Sequence, residues 1–222
     1  MFNFGGGMLT GSEIERQVKK GNIKITPYDT ARINPNSYNL RLHPQLKIYA
    51  RNSDRNDVIS GSGPNKIREC MYLDNFQMDP IDMHKHNDTI EFEIPKEGFT
   101  LLPGVLYIGR TVERTASDKF IPMINGRSSG GRLGISIHIT AGFGDIGFDG
   151  TWTLEITVVE PVTVYPYEEI AQVCYFKPCG RNDRLYMGRY QGQTDATASK
   201  MYAGRFLTAK RNKRINRKNK KV

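Results

Sequence analysis

The sequence has few cysteines and no long apolar run, and both shortages restrict its class. Its three cysteines, Cys70, Cys174 and Cys179, form no CxxC pair, so neither a disulfide framework nor a zinc knuckle is predicted. No stretch of about 18 apolar residues is present to span a bilayer. The first residues, MFNFGGGMLTG, lack the charged segment and apolar core of a signal peptide. We therefore expect free thiols, no membrane association and a cytoplasmic location.

The positive charge is concentrated at one end of the chain. The formal net charge is +9, but residues 210–222 contain eight basic residues and no acidic one, which leaves +1 for the rest. Such runs are usually solvated segments rather than folded binding surfaces. We expect residues 205–222 to form a basic, disordered tail, with weak, nonspecific polyanion binding as a side property.

Short alternating runs bounded by glycine and proline predict one all-β domain. These runs are residues 23–25, 38–48, 89–94, 121–124, 162–165 and 170–176. Residues 99–111, centred on Pro103-Gly104, are typical of a β-hairpin. One short helix is expected, because Thr10-Gly-Ser-Glu13 matches a capping box. Residues 51–66 are polar and poor in apolar side chains, so we expect a mobile loop there.

The most unusual chemistry lies in residues 125–160, NGRSSGGRLGISIHITAGFGDIGFDGTWTLEITVVE. Its first turn places two arginines and two serines around Gly130-Gly131, a composition that lets backbone N–H groups approach an anion. Residues 135–140 alternate isoleucine with Ser136, His138 and Thr140, which predicts a half-buried strand. Residues 142–147 satisfy GxGxxG, but a predicted strand follows them rather than a helix, so a dinucleotide site is excluded.

Residues 151–159 alternate again, and Glu155 is the one carboxylate on their polar face. Two interpretations of this residue remain open at this point. Charged side chains are mostly exposed, so the face can simply be solvated. Alternatively, Glu155 is a general base held beside a bound ring. Periodicity alone does not distinguish these interpretations.

Several motifs, taken together and in order, resemble the dCTP deaminase group of the dUTPase-like superfamily. The central stretch supplies GRSSxxRLG, HxTAGFxDxGFxG and TLE. Further matches are Leu9 to Ile14, Asn36 to Leu42, Gly98 to Gly104, Gly109 to Thr111 and Arg189 to Gln193. The resemblance covers roughly residues 9–201.

The resemblance implies a distorted β-barrel, the β-clip or jelly-roll-like dUTPase fold, with one short N-terminal helix and a C-terminal arm. Residues 1–180 would form the barrel domain, and residues 181–204 the arm that closes over a nucleotide. The family assembles as a homotrimer with sites at subunit interfaces. Its ligands are the nucleotides dCTP, dUTP and dTTP.

The resemblance also assigns roles to particular residues. Glu155 would be the acid–base group, Ser128 would place the attacking water, and Arg132 would steady the developing charge. The backbone around Ala141 and at Thr153 and Leu154 would read the pyrimidine edge, and Asp145 would bind the deoxyribose 3′-hydroxyl. The triphosphate and its Mg²⁺ would be held by Arg127, Ser129, Tyr186, Arg189 and Gln193.

Metal chemistry is expected only through Mg²⁺ on the triphosphate. The HxE and PCxxC patterns of zinc deaminases are not found in the sequence, so a deaminase of this sequence is expected to activate water without zinc. His84 and His86 lack a well-placed third ligand, so we assign no metal there.

Some positions depart from the family pattern. Gly130-Gly131 replaces the usual Leu-Ala or Leu-Gly, and Arg189 replaces the arm's usual lysine. Asn39 stands where an aspartate is usual, and His43 where a glycine is usual. None of these changes removes a proposed catalytic group.

The resemblance predicts hydrolytic deamination of dCTP to dUTP and ammonia, in the metabolism that leads to dUMP and dTTP. Three alternatives remain open. A bifunctional enzyme would deaminate dCTP and also release dUMP and pyrophosphate. A pure dUTP diphosphatase would not need Glu155, and a noncatalytic nucleotide-binding module would not need the intact set of Ser128, Arg132 and Glu155.

Overall fold

A computed structural model describes residues 6–50 and 80–204 of this chain. The predicted loop at 51–66 and the predicted tail at 205–222 therefore lie outside the described residues. The described strands are β1 Gly7–Met8, β2 Lys24–Thr26, β3 Tyr38–Arg41, β4 Gln45–Tyr49, β5 Thr89–Glu93, β6 Phe99–Leu101, β7 Tyr107–Ala116, β8 Ile121–Gly126, β9 Ile135–Ser136, β10 Asp149–Val158, β11 Val162–Val164 and β12 Glu169–Lys177. The α-helices are α1 Gly11–Lys19 and α2 Ser128–Gly131, and 3₁₀ turns occupy Thr30–Arg32 and Met201–Ala203.

The predicted N-terminal helix begins where the capping box places it. The Thr10 hydroxyl accepts the backbone N–H of Glu13 at 3.4 Å, which satisfies one of the free donors of the first turn. Ile14 is fully buried, and Gly21 adopts φ +72° just past the end of the helix. The helix is confirmed. The four-residue α2 was not predicted.

The strands form three antiparallel sheets around one core. Strand β12 pairs with β1, β3 and β8, and the larger sheet runs β5-β4-β7-β10-β9 with β2 also on β7. Strands β6 and β11 form the third sheet. Buried residues from the two larger sheets, including Tyr38, Leu46, Tyr107, Leu154 and Tyr175, belong to a single hydrophobic cluster. The all-β class and the distorted barrel are confirmed.

Strand β10 follows its predicted alternation closely. Trp152, Leu154, Ile156 and Val158 are buried, whereas Thr153, Glu155 and Thr157 are half-buried. Thr151 is also buried, because the arm covers it: the backbone N–H of Thr151 donates to the carbonyl of Gln193 at 2.9 Å. The polar face of β10 is therefore enclosed in part by a later segment of the same chain.

The predicted hairpin at residues 99–111 is wrong. Strand β6 pairs with β11, and β7 pairs with β2, β4 and β10. Between β6 and β7, the backbone N–H of Leu102 donates to the Tyr107 hydroxyl at 2.9 Å instead of joining a ladder. The turn at Pro103-Gly104 thus leads the chain from one sheet to another.

The predicted strand at residues 135–140 is also wrong in length. Strand β9 contains only Ile135 and Ser136, which pair with the C-terminal end of β10. Ile137 is buried, but Ile139 is 74% exposed. Beyond Ser136 the ladder ends, but His138 still lies opposite Glu155, with Nδ1 2.8 Å from Oε2.

Candidate active site

A cavity of about 500 Å³ opens on the polar face of β10. Three parts of the chain enclose it: strands β7 and β10, the loop before β10, and the arm. Its lining includes Ile108, His138, Ala141, Phe143, Asp145, Phe148, Trp152, Thr153, Glu155, Tyr186, Tyr190, Gln193, Thr197 and Ser199. Pockets of this size that combine apolar walls with a few polar groups are typical small-molecule sites.

Glu155 and His138 form the central polar contact of the cavity. His138 Nδ1 lies 2.8 Å from Glu155 Oε2. The His138 side chain is 7% exposed and that of Glu155 is 39% exposed. The imidazole therefore contacts the carboxylate on its buried side, and the other side of the carboxylate faces the cavity. His138 Nε2 is buried and has no hydrogen-bond partner in the described structure. The arrangement presents an oriented carboxylate, with a free imidazole nitrogen behind it.

The structure gathers half of the residues that the resemblance selected. Ala141, Asp145, Thr153, Glu155, Tyr186 and Gln193 all line the cavity. The side chain of Leu154 is fully buried in the core. Only its backbone is therefore suited to contact the pyrimidine edge, as the resemblance implies. Gln193 donates through Nε2 to Thr151 O at 2.8 Å, while its Oε1 is buried without a partner in the described structure. An unpaired acceptor therefore remains beside the cavity.

The remaining selected residues do not line this cavity. Ser128, Ser129 and Arg132 are exposed on and beside α2, and Arg189 is exposed on the arm. Arg127 precedes α2 and binds Glu169, with its Nη1 3.0 Å from Glu169 Oε2. We call the segment from Arg127 to Arg132 the arginine–serine turn. Within a single copy of the chain, this turn does not line the cavity that contains Glu155.

The arm reaches the cavity through backbone contacts along the start of β10. Gly192 N–H donates to Asp149 O at 2.8 Å, and Tyr186 N–H donates to Ile146 O at 2.8 Å. Gly147 has φ +91°, and a side chain there would meet Leu185 Cβ at 2.7 Å, so glycine is needed for the arm to approach. Tyr186 packs edge-on against Phe148, with ring centroids 6.0 Å apart. The arm is thus docked on the chain to which it belongs.

An ion pair holds the later part of the arm. Lys47 Nζ lies 2.8 Å from Asp195 Oδ2, and the Gln45 side chain accepts the N–H of Ala196 at 3.2 Å. Burial by itself would raise the pKa of the Asp195 carboxyl, but its hydrogen bonds from Lys47 and Gln45 outweigh this and leave the pKa below its ordinary value. The carboxylate stabilises the docked arm above its unfolded-state pKa of about 4, and this contribution is lost as the pH falls through the lowered folded-state pKa.

Asp195→Asn is expected to loosen the arm and to weaken retention of dCTP, the substrate that the resemblance predicts. A half-exposed ion pair contributes up to about 1 kcal/mol, so we expect KM to rise about two- to fivefold near neutral pH. Steady-state kinetics would measure this change. Asp183→Asn is the matched control, because Asp183 lies on the same arm and, among the described residues, its ion pair is with the exposed Arg181 at 3.5 Å. Equal KM values for the two variants would contradict the role of Asp195.

Sequence reasoning missed two features of this site. The alternation of residues 135–140 places His138 only on the polar face of a strand, although the HxTAGF motif also contains this residue. The Lys47–Asp195 pair joins residues far apart in sequence, and no local pattern indicates it.

Within the described ranges, no helix is long and apolar enough to cross a bilayer.

Comparison with known proteins identifies the family to which this chain belongs. Residues 8–177 match the dCTP deaminase-like family, and the chain belongs to that family. It is 42% identical over 195 residues to "dCTP deaminase, dUMP-forming" from Hathewaya histolytica, covering 88% of this chain and 97% of that relative. The enzyme of the same name from Clostridium beijerinckii is 44% identical over 195 residues, covering 88% of this chain and 96% of its own. The family predicted from the motifs is confirmed.

The 2′-deoxycytidine 5′-triphosphate deaminase from Agrobacterium tumefaciens aligns over 78% of this chain and 49% of its own, with 20% identity and a TM-score of 0.49.

Proposed function

We propose that this protein is a dCTP deaminase that releases dUMP. The observation that carries the proposal is the Glu155 carboxylate, oriented by His138 at 2.8 Å on the wall of a cavity of about 500 Å³. The relatives, which are more than 40% identical, are named as dUMP-forming enzymes. These names favour the bifunctional alternative over simple release of dUTP.

In the proposed deamination, water attacks C4 of cytosine while Glu155 accepts one of its protons. Glu155 then delivers that proton to N3, which gives a tetrahedral carbon bearing both the new hydroxyl and the amino group. The hydroxyl proton passes to the amino nitrogen as the C–N bond breaks, so the products are a uracil nucleotide and ammonia. Such positioned acid–base catalysis typically contributes 10²- to 10⁴-fold. By donating Nδ1–H to Glu155, His138 would keep the carboxylate aimed at C4.

The second proposed step hydrolyses the uracil nucleotide. Water attacks the α-phosphorus, and the bond to the oxygen bridging the α- and β-phosphates breaks, giving dUMP and pyrophosphate. Asp145 lines the same cavity and begins the DxGFDG segment that resembles the dUTPase signature. We assign it the deoxyribose 3′-hydroxyl and a position near this second water.

The phosphates need cations, and the lining does not supply them. Among the described residues around the cavity there are two carboxylates, Asp145 and Glu155, but no lysine or arginine. A triphosphate would meet net repulsion there, because like charges disfavour one another in a partly desolvated site. We therefore propose that a second copy of the chain contributes the arginine–serine turn, from Arg127 to Arg132, within a homotrimer. The exposed apolar side chains of Leu133, Ile139, Phe143 and Val159 support such an assembly.

Magnesium fits this proposal as a companion of the substrate. Mg²⁺ usually keeps several waters and binds through substrate phosphates. The buried, unpaired Oε1 of Gln193 is the type of oxygen that can accept a hydrogen bond from such a water. When bound, Mg²⁺ would neutralise part of the phosphate charge. Tyr186, which lines the cavity, and Arg189, which is exposed on the same arm, would contact the phosphates.

Incubation of the purified protein with dCTP and Mg²⁺, followed by chromatography and an ammonia assay, tests the proposed function. We expect equimolar dUMP, pyrophosphate and ammonia from dCTP. Ammonia with dUTP as the final product would indicate a deaminase alone, and turnover of dUTP but not dCTP would indicate a diphosphatase. No turnover of either nucleotide would favour a binding module and overturn the proposal.

A further inference from the structure

We propose that Glu169 is a positioning residue for nucleotide binding, which acts by fixing the guanidinium group of Arg127. The inference rests on the proposed function, in which Arg127 contacts the phosphates. Glu169 itself would touch no substrate. Its role would be to give the arginine–serine turn a single orientation before the nucleotide arrives.

The Glu169 carboxylate is the centre of a network of charged hydrogen bonds. Its Oε1 accepts Arg32 Nη1–H at 2.7 Å, and its Oε2 accepts Asn39 Nδ2–H at 2.7 Å. Arg127 Nη1 lies 3.0 Å from the same Oε2 and also donates to the backbone carbonyl of Glu169 at 3.1 Å. One nitrogen of Arg127 is therefore held by two oxygens of a single residue.

The sheet brings these two residues together. Strand β12 begins at Glu169 and pairs with β8, with Ala171 opposite Gly126. Arg127 is the next residue after β8 and the N-cap residue of α2, with extended φ and ψ of −92° and 148°. Its own side chain makes no capping hydrogen bond. The contact with Glu169 thus fixes the residue from which the α2 turn starts.

Asn39 is a neutral neighbour of the Glu169 carboxylate. Its Oδ1 accepts Asn34 Nδ2–H at 2.6 Å while its Nδ2 donates to Glu169, and the residue is only 5% exposed. The resemblance leads one to expect an aspartate at position 39. A second carboxylate 2.7 Å from Glu169 Oε2 would be strongly repelled. In this chain, the amide at position 39 and the acid at position 169 form a matched pair.

Part of the Arg127 guanidinium group is left to meet phosphate, although the network as a whole is neutral. Arg32 pairs both with Glu169 and with Asp29, whose Oδ2 lies 3.6 Å from Arg32 Nε, so two arginines face two carboxylates. The Arg127 side chain is 34% exposed, and its described contacts with Glu169 use only Nη1. The rest of the guanidinium group remains available to an incoming anion.

The sign of the effect of Glu169→Gln distinguishes positioning from simple charge. Removing a negative charge near a polyanion site should tighten binding by general electrostatics. If Glu169 positions Arg127, the same substitution should weaken binding, because Arg127 loses its fixed orientation. We expect the Kd for dCTP–Mg²⁺ to rise roughly tenfold, as for the loss of a charge-assisted hydrogen bond. The apparent melting temperature should fall by a few degrees, because Arg32 and Asn39 also lose a charged partner, so binding is measured well below it.

Isothermal calorimetry with dCTP–Mg²⁺, in a Glu155→Gln background that prevents turnover, measures this change. Glu168→Gln is the matched control, since Glu168 is the exposed neighbour in sequence, and it should leave Kd unchanged. In an Arg127→Ala background, Glu169→Gln should change Kd less than about twofold, because a residue that acts through Arg127 has no effect without it.

Each outcome of this experiment decides between the two interpretations. A lower or unchanged Kd in Glu169→Gln, or an equal loss with and without Arg127, would overturn the positioning role. Suppose that the Glu155→Gln protein binds dCTP–Mg²⁺ while the wild-type chain produces neither dUTP nor dUMP. In that case the proposed function is wrong, but the Kd values of the variants still test the positioning role of Glu169. If the parent does not bind dCTP–Mg²⁺, both the function and the positioning role are wrong.

Discussion

Replacement of Glu155 by glutamine is expected to lower kcat for dCTP deamination by about 10²- to 10⁴-fold, the usual contribution of a positioned general base. Glutamine has nearly the same shape but cannot accept the proton of the attacking water. Its amide can still contact His138, which lies 2.8 Å from the carboxylate. The cavity should therefore keep its form, and the Kd for dCTP–Mg²⁺ should change only a few-fold.

Single-turnover release of ammonia and equilibrium binding of dCTP would separate these two effects. Glu160→Gln is a suitable control, because Glu160 is exposed just beyond the end of the same strand and should leave both measurements unchanged. Retained ammonia release in Glu155→Gln would remove Glu155 from its assigned role. Loss of binding along with turnover would indicate that Glu155 shapes the site rather than transfers a proton.

The elements that could be predicted from sequence are those governed by local rules. The N-terminal helix follows from a capping box and the 3.6-residue spacing of Ile14 and Val18, and both signals act within one or two turns. Strand β10 follows from alternation, because one of its faces packs into the core along its whole length. In β10 the alternating apolar residues are the buried ones, whereas in the helix Ile14 is fully buried and Val18 only partly buried.

The failures arise where distant partners decide the structure. Strands β6 and β7 are adjacent in sequence and each reads as a strand, but their partners lie more than 30 residues away, in β11 and β10. Glu113 is fully buried in a strand because Arg41 donates to it from another strand at 2.7 Å. No local pattern predicts that a charged residue at this position is paired and buried.

The candidate site shows the same contrast between local patterns and contacts with distant residues. The resemblance selected Asp145, Thr153, Glu155 and Gln193, and the structure places all four around one cavity. It could not indicate the partners that hold them, because the His138, Lys47 and Glu169 contacts depend on how the sheets and the arm meet. The exposed turn from Arg127 to Arg132 is the part that one copy of the chain does not bring to Glu155.

A second prediction follows from this separation: two inactive variants should restore each other's activity in mixed oligomers. Glu155→Gln lacks the proposed base, and Arg132→Ala lacks the proposed charge-stabilising group of the turn. Each should lose at least about 100-fold in kcat when assembled alone. If every site combines Glu155 of one copy with Arg132 of the next, a cyclic trimer of both variants contains about one intact site in three.

Coexpression with two different affinity tags, followed by purification on both, yields the mixed species for assay with dCTP. We expect about one third of the wild-type activity, far above that of either parent variant. The matched control pairs Glu155→Gln with Asp145→Asn, which should recover nothing, because both residues line the cavity of a single chain. Failure to recover doubly tagged protein would contradict the oligomer itself. Recovery of an inactive mixed oligomer would instead mean that the arginine–serine turn does not complete a neighbour's site, so the phosphate charge would have to be met by groups of the same chain.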